Sequence, residues 1–210
     1  MTNLIRRPFR YNYSGLVIWI IGINILVMLA ERVFNPVWIK LLFSMIPALV
    51  IERYWLWTFA TYMFLHANFS HIFFNMLALF IFGTPVEQRM GSGEFLLYYL
   101  ISGVLAGVFS FAVYYFTGAY GISLMGASGA IFAVQLAYAV YYPNSLVYLM
   151  GILPLRAPVM VLAFTALELV SLIFSRGGNV AHITHLAGFG IGWLYFLIRL
   201  GINPIRAWRR

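Results

Sequence analysis

The sequence predicts an all-α, polytopic membrane protein whose helices cross the bilayer six times. Of its 210 residues, 63% are hydrophobic and only 9% are charged, whereas soluble domains have about 45–50% apolar and about 25% charged residues. The apolar residues form six segments, separated by turns rich in glycine, proline or asparagine. Lipid can cover such a surface but water cannot, so the composition excludes a soluble globular domain and a disordered chain.

The predicted spans form a membrane domain over residues 15–200, between tails at 1–14 and 201–210. Their approximate ranges are, in order, 15–30, 54–86 (helical at least over 70–82), 95–116, 128–142, 159–174 and 180–199. Turn residues mark breaks at 117–121, 143–144 and 175–179. The first connection, 33–57, is long and rich in tryptophan, so it either lies partly in the outer membrane interface or is a plain extracytoplasmic loop.

Basic residues predict the orientation of the chain. Six spans put both termini on one side, and a cytoplasmic location of that side satisfies the positive-inside rule. It then holds Arg6, Arg7, Arg10, Arg89, Arg156, Arg199, Arg206, Arg209 and Arg210, against Arg32, Lys40, Arg53 and Arg176 outside. The net charge of +8 therefore indicates topology rather than nucleic-acid binding. We expect a multi-pass protein of the cell membrane, most consistent with a bacterial plasma membrane, with both termini cytoplasmic.

Two residue types that carry much protease chemistry are missing. The chain has no cysteine and no aspartate, and its five acidic residues are Glu31, Glu52, Glu87, Glu94 and Glu168. A disulfide, a thiol nucleophile, a thiolate metal site and an aspartyl pair are therefore excluded. Because polar side chains inside a membrane are costly, the few that remain there are candidates for function.

Counting along the helices places three such residues at one depth. The fourth span is only about 21 Å long, against a hydrocarbon core of about 30 Å. Ser128 at its N-terminus is expected about 10 Å below the outer surface, and the non-helical chain before it must be buried in protein or line a water-filled cavity. His185 and His71 fall at a similar depth, counted from the ends of the sixth and second spans.

Small residues on the fourth and sixth spans favour a close approach of these two helices. Gly129 follows Ser128, and Gly188 and Gly192 lie on one stripe with His185. Such an approach would bring the serine within reach of the histidine. We therefore expect His185 to take the proton of Ser128 and to return it to a leaving amine.

A developing oxyanion would find several donors around the serine. The N–H groups of Ala127 and Ser128 lie at a helix N-terminus, where the positive end of the helix dipole favours negative charge. His71 and Asn75 are spaced i,i+4, so they share a helix face and could donate into the same pocket. No glutamate is expected at the place of a third triad member, and we predict a Ser–His dyad.

Four motifs, in this order along the chain, resemble those of the rhomboid family of intramembrane serine proteases. They are HxxxxHxxxN at His66, His71 and Asn75; ExRxGS at Glu87, Arg89, Gly91 and Ser92; GxSG at Gly126, Ser128 and Gly129; and a histidine, His185, three residues before the GxxxG of Gly188 and Gly192. By this last pattern His185, and not His182, is the catalytic base. The motifs cover essentially the whole membrane domain.

The resemblance implies a compact, six-helix rhomboid-like bundle with a long first extracytoplasmic loop and a short, recessed fourth helix. It implies cleavage of single-pass membrane proteins within or near their transmembrane segments. It also implies that Phe132, where members often have tyrosine, packs against the His185 ring. The tryptophan–arginine pair common in the family's first loop is missing, and residues 53–55 are only an approximate substitute. Besides substrate and bilayer, we expect no metal, cofactor or nucleic acid.

Other polar residues have simpler interpretations. Glu168 is expected to be a carboxylic acid kept neutral by burial and hydrogen-bonded to a neighbour, with a gating or substrate-contact role as the alternative. His182 is expected to be structural or water-facing. His66 should order the loop before the second span, with Asn68 or Ser70 as the helix cap. A last pair, Glu87 and Arg89, should pin the cytoplasmic end of that span.

Two rival functions remain open at this point. One is a catalytically inactive rhomboid-like protein that binds membrane clients, although relatives of that kind lose the serine or the histidine. The other is a metal or haem protein that uses His66, His71, His182 and His185 as ligands. The second rival leaves Ser128 and its glycines without a purpose. Metal content would separate it from a serine enzyme.

Overall fold

The computed structural model describes residues 6, 8–149, 151–174 and 180–209. Its helices are α1 (Leu16–Val33), α2 (Pro36–Phe43), α3 (Pro47–Arg53), α4 (Thr58–Thr61), α5 (Phe69–Ala78), α6 (Thr84–Met90), α7 (Ser92–Phe116), α8 (Ser128–Tyr141), α9 (Ala157–Phe174), α10 (Val180–Tyr195) and α11 (Pro204–Trp208). A π-helical turn, Leu79–Gly83, joins α5 to α6, and another, Phe196–Leu200, extends α10. The predicted break at 175–179 lies outside the described residues.

Five helical segments in the described part of the chain are long and apolar enough to cross a membrane. They are Leu16–Val33, Phe69–Met90, Ser92–Phe116, Ala157–Phe174 and Ala181–Leu200. The apolar helix α8 has only 14 residues, and at about 1.5 Å per residue it is shorter than a hydrocarbon core of about 30 Å. The chain is thus a mostly helical, multi-pass membrane protein, and α8 is the short helix expected in fourth place.

A small β-hairpin amends the all-α prediction. Strands β1 (Leu146–Leu149) and β2 (Leu153–Arg156) pair antiparallel between α8 and α9, with Leu146 opposite Arg156. The turn between them contains Gly151, whose φ of +75° suits glycine. Strands of four residues are too short to display a clear alternation of apolar and polar residues, so the sequence pattern did not reveal them.

The short helix α8 packs against both α7 and α10, which also contact each other. Ten of its residues are buried, and most of them are alanine, valine, leucine or isoleucine. The Tyr98 hydroxyl of α7 donates a 2.5 Å hydrogen bond to the carbonyl of Ala133. Beside this bond, α10 approaches so closely that a Cβ at Gly192 would lie 2.6 Å from the Tyr98 hydroxyl and 2.9 Å from the Ala133 Cβ. The small residues of both helices therefore permit the approach that their stripes predict.

Backbone hydrogen bonds connect the segment that leads to α8 with the first loop. Met45 and Leu124 form a β-bridge, in which each N–H donates to the other's carbonyl at 3.1 and 2.9 Å. Ala48 N–H also donates to the carbonyl of Tyr120. Leu124 and Ala127 are buried. Gly126 is buried as well, whereas Gly118, Tyr120, Gly121 and Ser123 are exposed, so only the last part of the segment before α8 is enclosed in protein. No residue of α2 is buried.

At the end of the molecule opposite Ser128, the Glu87 side chain connects α6 to α1. Its carboxylate is fully buried and accepts hydrogen bonds from the N–H groups of Leu16 and Val17, at 2.6 and 2.9 Å. The Ser92 hydroxyl donates a third, 2.5 Å bond. The charge therefore faces the positive end of α1 and satisfies amides that have no partner within that helix. Arg89 is instead exposed, with its guanidinium 5.9 Å from the centre of the Tyr141 ring.

Candidate active site

Ser128 is the first residue of α8, and the chain reaches it through a backbone turn that only glycine adopts easily. Gly126 has a φ of +123°, and its N–H donates a 2.9 Å bond to the carbonyl of Tyr62. A Cβ at Gly126 would lie 2.9 Å from Nε2 of His71 and 3.7 Å from Oγ of Ser128. The absence of that carbon therefore leaves room for the imidazole beside the serine.

The structure brings Ser128 and His185 together. Oγ of the serine lies 2.7 Å from Nε2 of the histidine, a normal hydrogen-bond distance between two partly buried side chains. The rings of His185 and Phe132 are stacked, with centroids 4.5 Å apart and planes within 8° of parallel. This stacking is the contact that the family resemblance implies. It restricts the imidazole to an orientation in which Nε2 points at the serine.

His71 presents its other ring nitrogen to the same space. The N–H of Ala67 donates to Nδ1 of His71 at 3.3 Å. Because a neutral imidazole has one donor and one acceptor nitrogen, the ring proton is assigned to Nε2. The helix is capped by Asn68, whose side chain accepts from the His71 N–H at 2.8 Å. The cap thus fixes the backbone of the residue whose Nε2 lies beside Gly126.

Asn75 lies one turn further along α5. It is buried, and its amide nitrogen donates to the carbonyl of His71 at 2.8 Å. An amide has two N–H groups, so one remains after this bond is made. Asn75 thereby contacts the backbone of His71, as the i,i+4 spacing predicts.

Glu168 corrects the expectation that no glutamate stands beside the histidine. Its Oε1 lies 3.0 Å from Nδ1 of His185, and its Oε2 lies 2.5 Å from Nδ1 of His182. The contact to His182 is a hydrogen bond, whereas the N–H direction of His185 does not point straight at the oxygen. The location of Glu168 was therefore predicted wrongly, although it does have the hydrogen-bonded neighbour that was expected, which is His182. His182 is paired as well.

The four histidines fall into two groups instead of one ring of ligands. His66 and His71 contact each other, with ring centroids 5.1 Å apart. His182 and His185 form the other group with Glu168, and the ligand-type atoms of these three lie within 4.8 Å of one another. A metal site that uses all four histidines, as the rival function requires, does not match this arrangement.

His66 is almost completely buried, with 2% of its surface exposed. Burial lowers its pKa to about 4, and the neighbouring His71 acts in the same direction. The imidazole is therefore neutral at physiological pH. It packs against His71 just before α5, in the loop position predicted for it.

Comparison with known proteins places this arrangement in a family. A family model described as Rhomboid domain matches residues 53–202, which is most of the chain. The chain belongs to the rhomboid family. The matched part includes the pair of Ser128 and His185, the first-turn amides of α8, and both histidine groups.

Several curated rhomboid proteases are similar to this rhomboid. It is 30% identical to rhomboid protease GlpG of Haemophilus influenzae over 150 residues, which cover 71% of this chain and 73% of that protein. It is 31% identical to rhomboid protease AarA of Providencia stuartii, over 60% of this chain and 51% of AarA. With rhomboid protease GluP of Bacillus subtilis it shares 41% identity, over 40% of this chain and 15% of GluP. The chain thus spans only part of the length of the last two.

The glutamate is the site residue that sequence reasoning missed in this rhomboid. A depth count along α9 would have placed Glu168 about 17 Å from the start of that helix, near the level of His185. Depth alone does not give the direction in which a side chain points. Most of α9 is apolar on all sides, so no amphipathic pattern indicated that Glu168 faces α10.

Proposed function

We propose that this rhomboid is a serine endopeptidase that cleaves transmembrane segments of single-pass membrane proteins through an acyl-enzyme on Ser128. The observation that carries the proposal is the 2.7 Å distance between Oγ of Ser128 and Nε2 of His185, at the start of a short buried helix. A serine that merely caps a helix would bond to a backbone N–H of its own first turn. The three similar proteins described above are each named as a rhomboid protease, which supports the same function.

In the first half of the reaction, Oγ of Ser128 attacks the carbonyl carbon of the scissile peptide bond while Nε2 of His185 takes the hydroxyl proton. The carbonyl oxygen becomes an oxyanion. As the tetrahedral intermediate collapses, the C–N bond breaks, and His185 gives its proton to the leaving amine nitrogen. The product is an ester between the N-terminal part of the substrate and Ser128.

In the second half, water attacks the ester carbon and its proton passes to Nε2 of His185. The C–O bond to Ser128 then breaks, and the proton returns to Oγ. Both tetrahedral intermediates would be stabilised by the N–H groups of Ala127 and Ser128. The Nε2–H of His71 and the second N–H of Asn75 would donate from the other side.

The membrane arrangement belongs to the same proposal. α8 would be the fourth of six membrane segments and would not reach the outer surface, so that Ser128 opens to an outward-facing, water-accessible recess. Both tails, 1–14 and 201–210, would be cytoplasmic, and the bacterial plasma membrane is the location that we favour. In this arrangement, the long first loop would lie over the recess, and the β-bridge between Met45 and Leu124 would attach it there.

The test is cleavage of a single-pass reporter by purified protein in detergent or liposomes. Ser128→Ala and His185→Ala should abolish cleavage. The matched change Ser145→Ala, at a serine whose hydroxyl donates to the nearby carbonyl of Tyr142, should leave cleavage unchanged. A serine-directed phosphonate should label the wild type but not the Ser128→Ala variant. Cleavage that persists in Ser128→Ala would overturn the proposal.

The same preparation separates the rivals. An inactive client-binding protein would cleave nothing and would not react with the phosphonate. A metal enzyme would contain stoichiometric metal and lose its activity to a chelator. Neither outcome is compatible with an acyl-enzyme on Ser128.

A further inference from the structure

We propose that Glu168 is a positioning residue for the reaction, which sets the proton and the orientation of His185 and is itself held by His182. The inference rests on the proposed serine hydrolysis and adds a third side chain to it. The Glu168 carboxylate contacts the imidazoles of both His182 and His185. Each of its oxygens lies within 3.0 Å of one Nδ1 atom.

The first consequence concerns the proton on His185. Nε2 can accept the proton of Ser128 only if it is unprotonated, so in the neutral ring the proton must sit on Nδ1. Oε1 of Glu168 faces that nitrogen at 3.0 Å and favours the N–H form there. Although the N–H does not point straight at the oxygen, the charge of the carboxylate acts at this distance in either geometry.

The second consequence concerns charge during the attack on the peptide bond. His185 becomes a cation when it takes the serine proton, and Glu168 lies beside it. The side chains of Glu168, His185 and His182 are only 16%, 14% and 24% exposed, so water screens the interaction weakly. The other titratable groups nearby are His71, which faces His185, and Tyr114, which contacts Thr184. Neither supplies a negative charge at neutral pH.

His182 explains why the carboxylate stays in place. It lies three residues before His185, so both imidazoles project from the same side of α10. The 2.5 Å bond from Nδ1 of His182 occupies Oε2 of Glu168. Rotation of the carboxylate away from His185 would break this bond, so His182 restrains the oxygen that faces the base.

Packing does not account for the position of Glu168. The buried residues of α9 are Ala157, Met160 and Val161, which all lie in its first two turns. Glu168 lies about two turns beyond the last of them, where α9 has no buried residue. A carboxylate at that level of a membrane helix is costly unless it is paired. The pairing with two histidines of the neighbouring helix is therefore the feature that favours a glutamate here.

The experiment compares Glu168→Gln with Glu31→Gln, which removes another largely buried membrane-helix carboxylate, in α1 and outside the site. Glu168→Gln should lower kcat by about tenfold to a thousandfold with KM changed by less than about twofold, because the interaction forms with charge in the transition state. Glu31→Gln should leave both unchanged. Glu168→Asp, which keeps the charge on a shorter side chain, should recover part of the loss.

The pH profile distinguishes positioning from a structural role. Without the carboxylate the His185 cation is less stable, so the neutral base persists to lower pH. The acid limb of kcat should therefore move to lower pH in Glu168→Gln. His182→Ala should retain much of the activity and move the limb slightly, while His182→Asn, whose amide can still donate to Oε2, should behave like the wild type.

The outcomes separate this inference from the proposed function. If Ser128→Ala abolishes cleavage while Glu168→Gln keeps the wild-type kcat and pH profile, the role of Glu168 is refuted and the serine mechanism stands. If Ser128→Ala still cleaves, the function itself is wrong. Thermal unfolding in detergent should show Glu168→Gln folded. If it is not, Glu168→Asp decides: an acid limb at the wild-type pH with reduced kcat supports positioning, and an unchanged kcat refutes it.

Discussion

Gly188 of α10 lies directly against the main-chain carbonyl of Gly129 in α8, where a Cβ on Gly188 would overlap the carbonyl oxygen. Ser128 immediately precedes Gly129, and His185 lies one turn before Gly188. The contact between two main chains therefore lies next to both members of the 2.7 Å pair. It determines how far apart the serine and the histidine can stand.

Gly188→Ala should separate the serine from the histidine. A methyl group at this position has no flexible neighbour that could move aside, so α10 must shift, and overpacking of this kind costs about 1–3 kcal/mol. We expect kcat/KM for reporter cleavage to fall by at least about tenfold, together with a lower unfolding temperature in detergent.

The matched control is Gly190→Ala, two residues away on the same helix. A Cβ there meets no atom within 4 Å, and alanine is favoured over glycine in a helix by about 0.5–1 kcal/mol. This variant should keep full activity and unfold at the same or a higher temperature. Equal activity of the two variants would contradict the role assigned to the main-chain contact.

Glu87→Gln should destabilise the fold without touching the site. The carboxylate accepts hydrogen bonds from the N–H groups of Leu16 and Val17 and from the hydroxyl of Ser92. An amide has only one accepting oxygen, so at least one buried donor loses its partner, at a cost of about 1–3 kcal/mol. Reversible unfolding in detergent measures this loss.

Glu52→Gln provides the comparison, because Glu52 is exposed on α3. It should change the free energy of unfolding by less than about 0.5 kcal/mol. The kcat of the folded Glu87→Gln protein should remain close to the wild-type value, since Glu87 lies at the opposite end of the membrane domain from Ser128. A stability loss no larger than that of Glu52→Gln would disprove the capping role.

His66 should make the protein less stable as the pH falls from about 6.5 towards 4. The folded-state pKa of about 4 lies below the ordinary value of 6.5, so the unfolded chain binds the proton first. The free energy of unfolding should therefore decrease by about 1 kcal/mol between pH 6.5 and 5.5 from this residue. Above that range the contribution is constant.

The measurement compares unfolding at several pH values in the wild type and in His66→Gln. This substitution removes the titrating group but keeps a polar side chain of similar size. Its stability should depend less on pH over the same range, with His71, which faces His66, still present in both proteins. Identical pH dependence in the two proteins would show that His66 does not carry the effect.

Much of the site could be predicted from the sequence because helix geometry is regular. The span limits predicted a short fourth helix that begins at Ser128, and the i,i+4 spacing placed His71 and Asn75 on one helix face. The stripes of Gly129, Gly188 and Gly192 predicted a close helix pair. The stacking of a phenylalanine on the histidine came from the family resemblance alone.

What the sequence did not reveal depends on directions and on contacts between distant segments. Glu168 sits on a helix without a polar face, so its orientation towards α10 had no signature in the pattern. Glu87 was expected to pin the end of its own helix. Its carboxylate oxygens instead accept hydrogen bonds from N–H groups in the first turn of α1, about 70 residues earlier. The β-hairpin was too short to be recognised.

The contact between Gly188 and the Gly129 carbonyl also affects how the protein responds to changes in the lipid bilayer. Main-chain atoms in contact have no rotamers to exchange, and closely packed interiors are nearly incompressible. A membrane that becomes thicker, thinner or more ordered presses first on the lipid-facing side chains of the outer helices. We expect the separation of Ser128 and His185 to stay constant across such bilayers, so that changes of rate with lipid composition arise from substrate access and not from the reacting groups.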